Sequence, residues 1–169
     1  MTTFKARCLT QQDIPLIVSA FTDIGWNKPA SLYQKYLEEQ EKGERCVWIA
    51  FKDNNVAGYV TLKWHSNYLP FREHNIPEIS DLNVLPKFRT QGIASALLDR
   101  AEAEAFKKNS TVGIGVGLTT DYGNAQKLYV KRRYVPDGRG ITYNYESVPF
   151  GETIHLDDDL VLWLTKRLG

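Results

Sequence analysis

Residues Arg89–Ala105 read RTQGIASALLDRAEAEA, and their reading decides the fold. Gly92, set among polar residues, breaks the chain, and a helical pattern starts at once. Ala94, Leu97, Leu98, Ala101 and Ala105 fall on one stripe, and their small side chains predict close packing on a sheet. Just before the turn, EISDLNVLP (residues 78–86) reads as a strand ended by Pro86. In a strand–glycine turn–helix arrangement, the unpaired N–H groups of the first helical turn, and about half a positive charge from the aligned peptide dipoles, face whatever lies above them. That place favours phosphate. Gly92 and Ala94 lack bulk that would hold a pyrophosphate off those amides, and Arg89, Thr90, Gln91 and Ser95 can donate further hydrogen bonds. The plainer alternative is that Gly92 only permits a turn and the helix is structural.

Upstream, residues 3–9 form a strand candidate. TQQDIPLIVSAFTDIG follows as a helix with Thr10 or Asp13 as cap, Pro15 in its first turn and Gly25 beyond its end. A second helix runs from about Ala30 to Lys42, with Leu32, Tyr33, Tyr36 and Leu37 on one face and Gly43 as its stop. Two β-branched and aromatic runs joined by Asp53-Asn54-Asn55 predict an antiparallel hairpin. NYLPFREHNIP (residues 67–77), with two prolines and no periodicity, is expected to be an exposed loop. Downstream, TVGIGVGLTT reads as a strand, DYGNAQKLYVKRR as a short helix with Ala125, Leu128 and Tyr129 on one face, and residues 134–168 as two strands around a polar connection. Only the central part alternates strand and helix as parallel pairing requires. The expectation is an α/β (α+β) fold, a mixed central sheet of about seven strands flanked by about four helices, in one domain over residues 1–169 without internal repeats.

A chain of 169 residues, 43% hydrophobic and 24% charged, has the makings of an ordinary globular core. Its net charge of +1 offers no global attraction to nucleic acid or to an anionic membrane, and no stretch approaches the ~18 apolar residues of a spanning helix. Cys8 and Cys46 lie far apart without metal or CxxC spacing, and read as buried, inert, reduced thiols of a cytoplasmic protein. His65, His74 and His155 are scattered without ligand spacing, so no metal site is expected. Lys127, Lys131, Arg132, Arg133 and Arg139 form a basic cluster that reads as a solvated face before it reads as an RNA site.

Two phosphate loops can be set aside. No Gly-Lys-Ser/Thr tripeptide occurs, which excludes a P-loop. GIGVG at Gly113–Gly117 alternates its glycines inside a strand instead of opening a helix; there they would let another backbone or a ligand come close.

What remains carries a resemblance. LNVLPKFRTQGIASALL is similar to the acetyl-CoA-binding motif of the GCN-related N-acetyltransferases (GNAT), whose pattern Arg/Gln-x-x-Gly-x-Gly/Ala is met by Arg89, Gly92 and Ala94. NAQKLYVKRRYVPDG resembles the second signature of that family through Asn124, Ala125, Leu128 and Tyr129, with Arg133-Tyr134 where the family usually has Gly-Phe. Two motifs in order, on the expected elements, say more than either alone.

Acetyl transfer from a thioester to an amine needs a held acyl donor, a neutral amine, a stabilised oxyanion and a proton for the departing thiolate. The resemblance implies that acetyl-CoA is the co-substrate, without a metal. Backbone groups near Leu82, Asn83 and Val84 would meet the pantetheine arm and thioester carbonyl, Arg89, Thr90, Gln91, Gly92, Ile93, Ala94 and Ser95 the pyrophosphate, and Asn124 the pantetheine or its helix. Tyr129 matches the family's usual general acid; without the match it would read as a core aromatic. Glu78 matches the glutamate base of the histone-acetylating branch, and Asp81 is a second candidate whose odd offset sends it to the opposite strand face. Glu73 and His74 could serve from the loop, and many members use water instead. The acceptor is an amine of a small molecule or of a peptide or protein N-terminus. Trp26, Trp64, Tyr68, Tyr143 and Trp163 are candidates for its walls, and Glu73, Glu78, Glu152 and Asp157 for attracting a cation. No nucleic-acid or membrane partner is expected, and a homodimer is left open. The competing class is a non-catalytic acyl-CoA-binding or regulatory module of the same fold, which would have no chemical need for a phenol at Tyr129.

Overall fold

The computed structural model describes residues 3–169. They cluster into two compact units: one runs to Lys63 and takes in Ile79–Glu104, the other comprises Trp64–Glu78 and Ala105–Gly169.

The first unit starts with β1 (Phe4–Cys8), a 3-10 turn over Gln11–Asp13, α1 (Ile14–Thr22) and α2 (Ala30–Glu41). The Asp13 carboxylate accepts from the Thr10 backbone N–H and hydroxyl, both at 2.8 Å, and from the Arg7 guanidinium at 2.6 and 2.7 Å, which fixes the entry to α1. β2 (Arg45–Lys52) pairs antiparallel with β1 and with β3 (Asn55–Lys63). Asp53 and Asn54 join β2 to β3 at φ 49° and 62°, the left-handed pair that a tight hairpin turn demands. β4 (Glu78–Val84) follows β3 in the strand order β1-β2-β3-β4. Helices α1 and α2 lie against β3 and β2, burying Ile17, Phe21, Tyr33, Tyr36 and Leu37, and the Phe21 and Tyr33 rings meet that of buried Tyr59 edge-on. α4 (Ile93–Phe106) buries Ile93, Leu97, Leu98, Ala101 and Ala105, the stripe expected for it. Each fully buried leucine there contributes about 1.5–3 kcal/mol.

The second unit holds α3 (Leu69–Glu73), β5 (Thr111–Gly117), α5 (Gly123–Lys131), β6 (Val135–Tyr143), β7 (Glu146–Ser147) and β8 (Leu160–Arg167), with strand order β5-β8-β6-β7 and antiparallel pairing of β8 with β5 and β6 and of β6 with β7. Its centre is aromatic: Tyr68 stacks on Trp163 with centroids 4.4 Å apart, and Phe71 meets both edge-on. The alternating glycines of β5 make room for this. A Cβ on Gly113 would lie 2.1 Å from the Phe71 ring, one on Gly115 3.0 Å from Trp163, and one on Gly117 2.4 Å from Tyr122. Side chains, the Phe71, Trp163 and Tyr122 rings with Val161, fill the space those glycines leave.

Several expectations are corrected. Residues 67–77 are not an exposed loop: they contain α3, with Tyr68 and Phe71 buried. Pro70 in the first turn is compatible with a helix start, and a five-residue helix is too short to show a period. With α3 and the two-residue β7 the described residues hold five α-helices and eight strands, in agreement with the expected mixed sheet of about seven strands and about four helices. Cys8 is exposed and Cys46 half-buried, so neither thiol is the buried one expected. Among the described residues, no helix is long and apolar enough to cross a membrane.

Candidate active site

After β4 the chain makes a 3-10 turn at Pro86–Phe88 and then the Arg89–Gly92 turn. Thr90 has φ 59° and Gly92 φ 82°, two left-handed residues separated by Gln91. The Gly92 carbonyl accepts the first helical bond of α4, from Ala96 N–H at 3.0 Å. A Cβ built on Gly92 would meet no protein atom within 4 Å. Glycine is therefore required here by its backbone angle, while the space over the turn stays open toward the start of α4. The side chains fasten the turn. Arg89 Nε donates to Val84 O (3.2 Å), and the guanidinium lies 5.8 Å from the Trp26 ring centroid. Gln91 Nε2 donates to Lys87 O (3.2 Å), its Oε1 accepts from Lys52 Nζ, and Thr90 Oγ1 donates to Arg89 O (2.6 Å). Pyrophosphate oxygens above such a turn would meet amides that have no partner inside the helix.

One strand back, Asp81 has φ 52°. A left-handed residue interrupts the extended run, so counting faces from Glu78 fails and the assignment of Asp81 to the opposite face has no basis. Gly58 on β3 admits the distortion: a Cβ there would lie 2.3 Å from Asn83 O. The bend gathers four donors on one carboxylate. Oδ2 accepts from Tyr59 OH (2.7 Å) and Tyr36 OH (2.9 Å), and Oδ1 from Asn83 Nδ2 (2.7 Å) and Lys28 Nζ (3.2 Å). Burial and then the Asp81 charge push the phenols of Tyr36 and Tyr59 far above their ordinary range, so both stay donors. Lys28, Tyr36 and Tyr59 were not singled out from the sequence; they stand 53, 45 and 22 residues from Asp81, a separation that leaves no pattern to read. Leu82, Asn83 and Val84 continue β4 half-buried.

The other candidates lie in the second unit. Glu78 is buried and accepts from Ser66 Oγ (2.5 Å), which in turn accepts from Tyr68 N–H (3.0 Å). Asn124 is exposed in the first turn of α5. Tyr129 is buried, and burial followed by the neighbouring Tyr122 pushes its phenol up. The end of α5 secures it. Tyr134 N–H donates to Tyr129 O (3.0 Å) and Arg133 N–H to Val130 O (2.9 Å), with Arg133 at φ 69°. This is the Schellman pattern, and its hydrophobic contact is the Tyr129–Tyr134 ring pair, 5.8 Å between centroids. Arg133 thus takes the left-handed place for which glycine is the usual choice.

Of the acceptor-wall candidates, Tyr68 and Trp163 are buried core, while Trp26 stacks on Phe21 (5.7 Å) and Trp64 lies under Lys108 (3.9 Å). Tyr143 OH donates to Asp157 (2.9 Å), and Glu73 and Glu152 are exposed. Among the described residues, no group of three His, Cys, Asp or Glu is placed to hold a metal ion.

A mixed α/β chain with a strand–glycine turn–helix at its centre defines a class, and comparison with known proteins specifies it. The acetyltransferase (GNAT) family matches residues 14–133. The chain belongs to that family and is an acetyltransferase. No curated protein sequence matches it. Similar solved structures include an N-acetyltransferase from Staphylococcus aureus Mu50 (21% identity, 99% of this chain and 100% of that chain covered, TM-score 0.72). A ribosomal-protein-alanine N-acetyltransferase from Brucella melitensis follows (20%, 97% and 99%, TM-score 0.70). A spermidine N-acetyltransferase from Vibrio cholerae, solved with CoA and spermine, is also similar (16%, 97% and 95%, TM-score 0.67). At these identities the likeness is one of fold.

Proposed function

We propose that the protein transfers an acetyl group directly from acetyl-CoA to a primary amine, of a small molecule or of a peptide or protein N-terminus, in the cytoplasm. The observation that carries this is the Arg89–Gly92 turn: two left-handed residues, three fastening side chains and open space at the head of α4, in a chain of the acetyltransferase family. On this proposal Arg89, Thr90, Gln91, Gly92, Ile93, Ala94 and Ser95 hold the pyrophosphate. Backbone groups of Leu82, Asn83 and Val84 take the pantetheine arm and orient the thioester carbonyl, and Asn124 assists from α5. Acetyl-CoA supplies an activated acyl group and a thiolate leaving group.

Tyr129 is the proposed proton donor to that thiolate. Its raised phenol pKa keeps the proton in place at neutral pH, and the cap at Arg133 and Tyr134 fixes the ring. Glu78 and Asp81 are the proposed acceptors of the amine proton. Asp81 reaches that role only when one of its four donors leaves.

The test is a panel of peptide, polyamine, aminoglycoside and amino-acid acceptors, with free CoA and acetylated product both measured. Acetylation of at least one amine is the expected result. Binding of acetyl-CoA without modification of any acceptor would support the non-catalytic alternative. Tyr129→Phe is expected to lower turnover by ~10²-fold or more with acetyl-CoA affinity unchanged; full turnover in that variant would remove the acid role.

A further inference from the structure

The Asp81 environment is more elaborate than a proton acceptor requires. A carboxylate offers about four lone-pair positions, and all four are taken. Three donors are built into secondary structure: Tyr36 on α2, Tyr59 on β3 and Asn83 on β4. The fourth, Lys28, sits on the connection between α1 and α2. Its contact is the longest of the four, and its side chain is 23% exposed. Its Nζ also stands 6.0 Å from the Phe21 ring centroid and 5.7 Å from that of Tyr59. A carboxylate with two aromatic faces around one ammonium is the composition of a cation-recognition site.

A second observation points the same way. Tyr33 is fully buried and edge-on to both Tyr36 and Tyr59, so a third phenol packs against the two that donate to Asp81. Asp81 itself bears the cost of a left-handed backbone in a strand.

We propose that Asp81 is the recognition point for the ammonium of the acceptor, and that Lys28 occupies that point as an internal stand-in until a primary alkylammonium displaces it. The inference rests on the acetyltransferase reading and names its substrate class: a cationic primary amine on an unbranched aliphatic stem, as the lysine side chain itself is. A quaternary ammonium has no N–H to give Oδ1, and an anionic acceptor would meet the Asp81 charge.

The probe is n-butylammonium, the lysine side chain without its backbone, titrated in the absence of acetyl-CoA and followed by the NMR shifts of the Phe21 and Tyr59 rings. Because a tethered group competes at an effective concentration in the millimolar range, Lys28→Met should bind the probe about tenfold more tightly than the wild type. Lys28→Gln should do the same. Adding Asp81→Asn to either should abolish the gain, and tetramethylammonium, which has no N–H to donate to Oδ1, should bind more weakly than n-butylammonium. Acetyl-CoA affinity, measured on every variant, reports that each is folded. Equal affinity of the wild type and Lys28→Met, or a probe site that survives Asp81→Asn, overturns the proposal. Because no acetyl-CoA is present, a failure of transfer in the acceptor panel leaves this result readable, and a working enzyme whose probe binding ignores Asp81 defeats this inference alone.

Discussion

Asp81 and Tyr129 are both ionisable groups with phenols beside them, and their environments differ. Tyr129 is buried, which makes its phenolate costly and keeps the phenol protonated at neutral pH. Asp81 has its negative charge matched by four donors. The turn was legible because its residues are neighbours in sequence: the demand for Gly92, with φ 82°, shows directly in RTQG. The partners of Asp81 were not, because chain topology brings them together from three other segments. Asp13 supplies a pH-dependent prediction. Burial alone would raise its carboxyl, but the Arg7 guanidinium and the Thr10 groups outweigh burial and hold it below the ordinary carboxylate range. A depressed carboxyl stabilises the fold at pH values above about 4 and loses that contribution as pH falls through its folded value. Asp13→Asn should therefore cost about 1 kcal/mol near pH 7, a modest figure because Arg7 is half exposed. Urea unfolding at both ends of the range should show the gap between wild type and variant closing as the solution is made more acidic than pH 4.

At the scale of elements, α5 ends on a conflict between local preference and position. The αL residue of its Schellman cap is Arg133, where a side chain costs roughly 1 kcal/mol that glycine does not. Arg133→Gly should raise stability by about that amount, read as a higher urea midpoint at unchanged m; a lower midpoint would show that the Arg133 side chain makes compensating contacts. The glycines of β5 carry the opposite expectation. Gly113→Ala drives a methyl into the Phe71 ring and should destabilise by about 1–3 kcal/mol, and Phe71→Leu in the same chain should recover part of it. These elements also show why sequence reading succeeded unevenly. The hairpin at Asp53-Asn54 and the stripe of α4 announce themselves by turn chemistry and period. α3 has five residues, and what defines it is burial of Phe71 beneath Trp163, a contact made 92 residues apart in sequence (163 − 71).

At the scale of the molecule, buried phenols give a collective signal. Burial pushes up Tyr33, Tyr36, Tyr59, Tyr68 and Tyr129. Groups with raised folded values stabilise the protein fully below about pH 10 and cease to do so as the pH climbs toward those values. Phenolate absorbance should therefore appear for exposed tyrosines first, and for these five only together with unfolding. The fold class was legible because two sequence signatures share one order of elements; the acceptor was not, because the groups that would select it come from separate segments. The central claim is amine acetylation, and the acceptor panel tests it most directly, with released CoA thiol and acetylated amine counted in the same reaction. The expected result is an acceptor that gains one acetyl group for each thiol released, with cationic primary amines preferred. Tight binding of acetyl-CoA with no amine modified across the panel would contradict it.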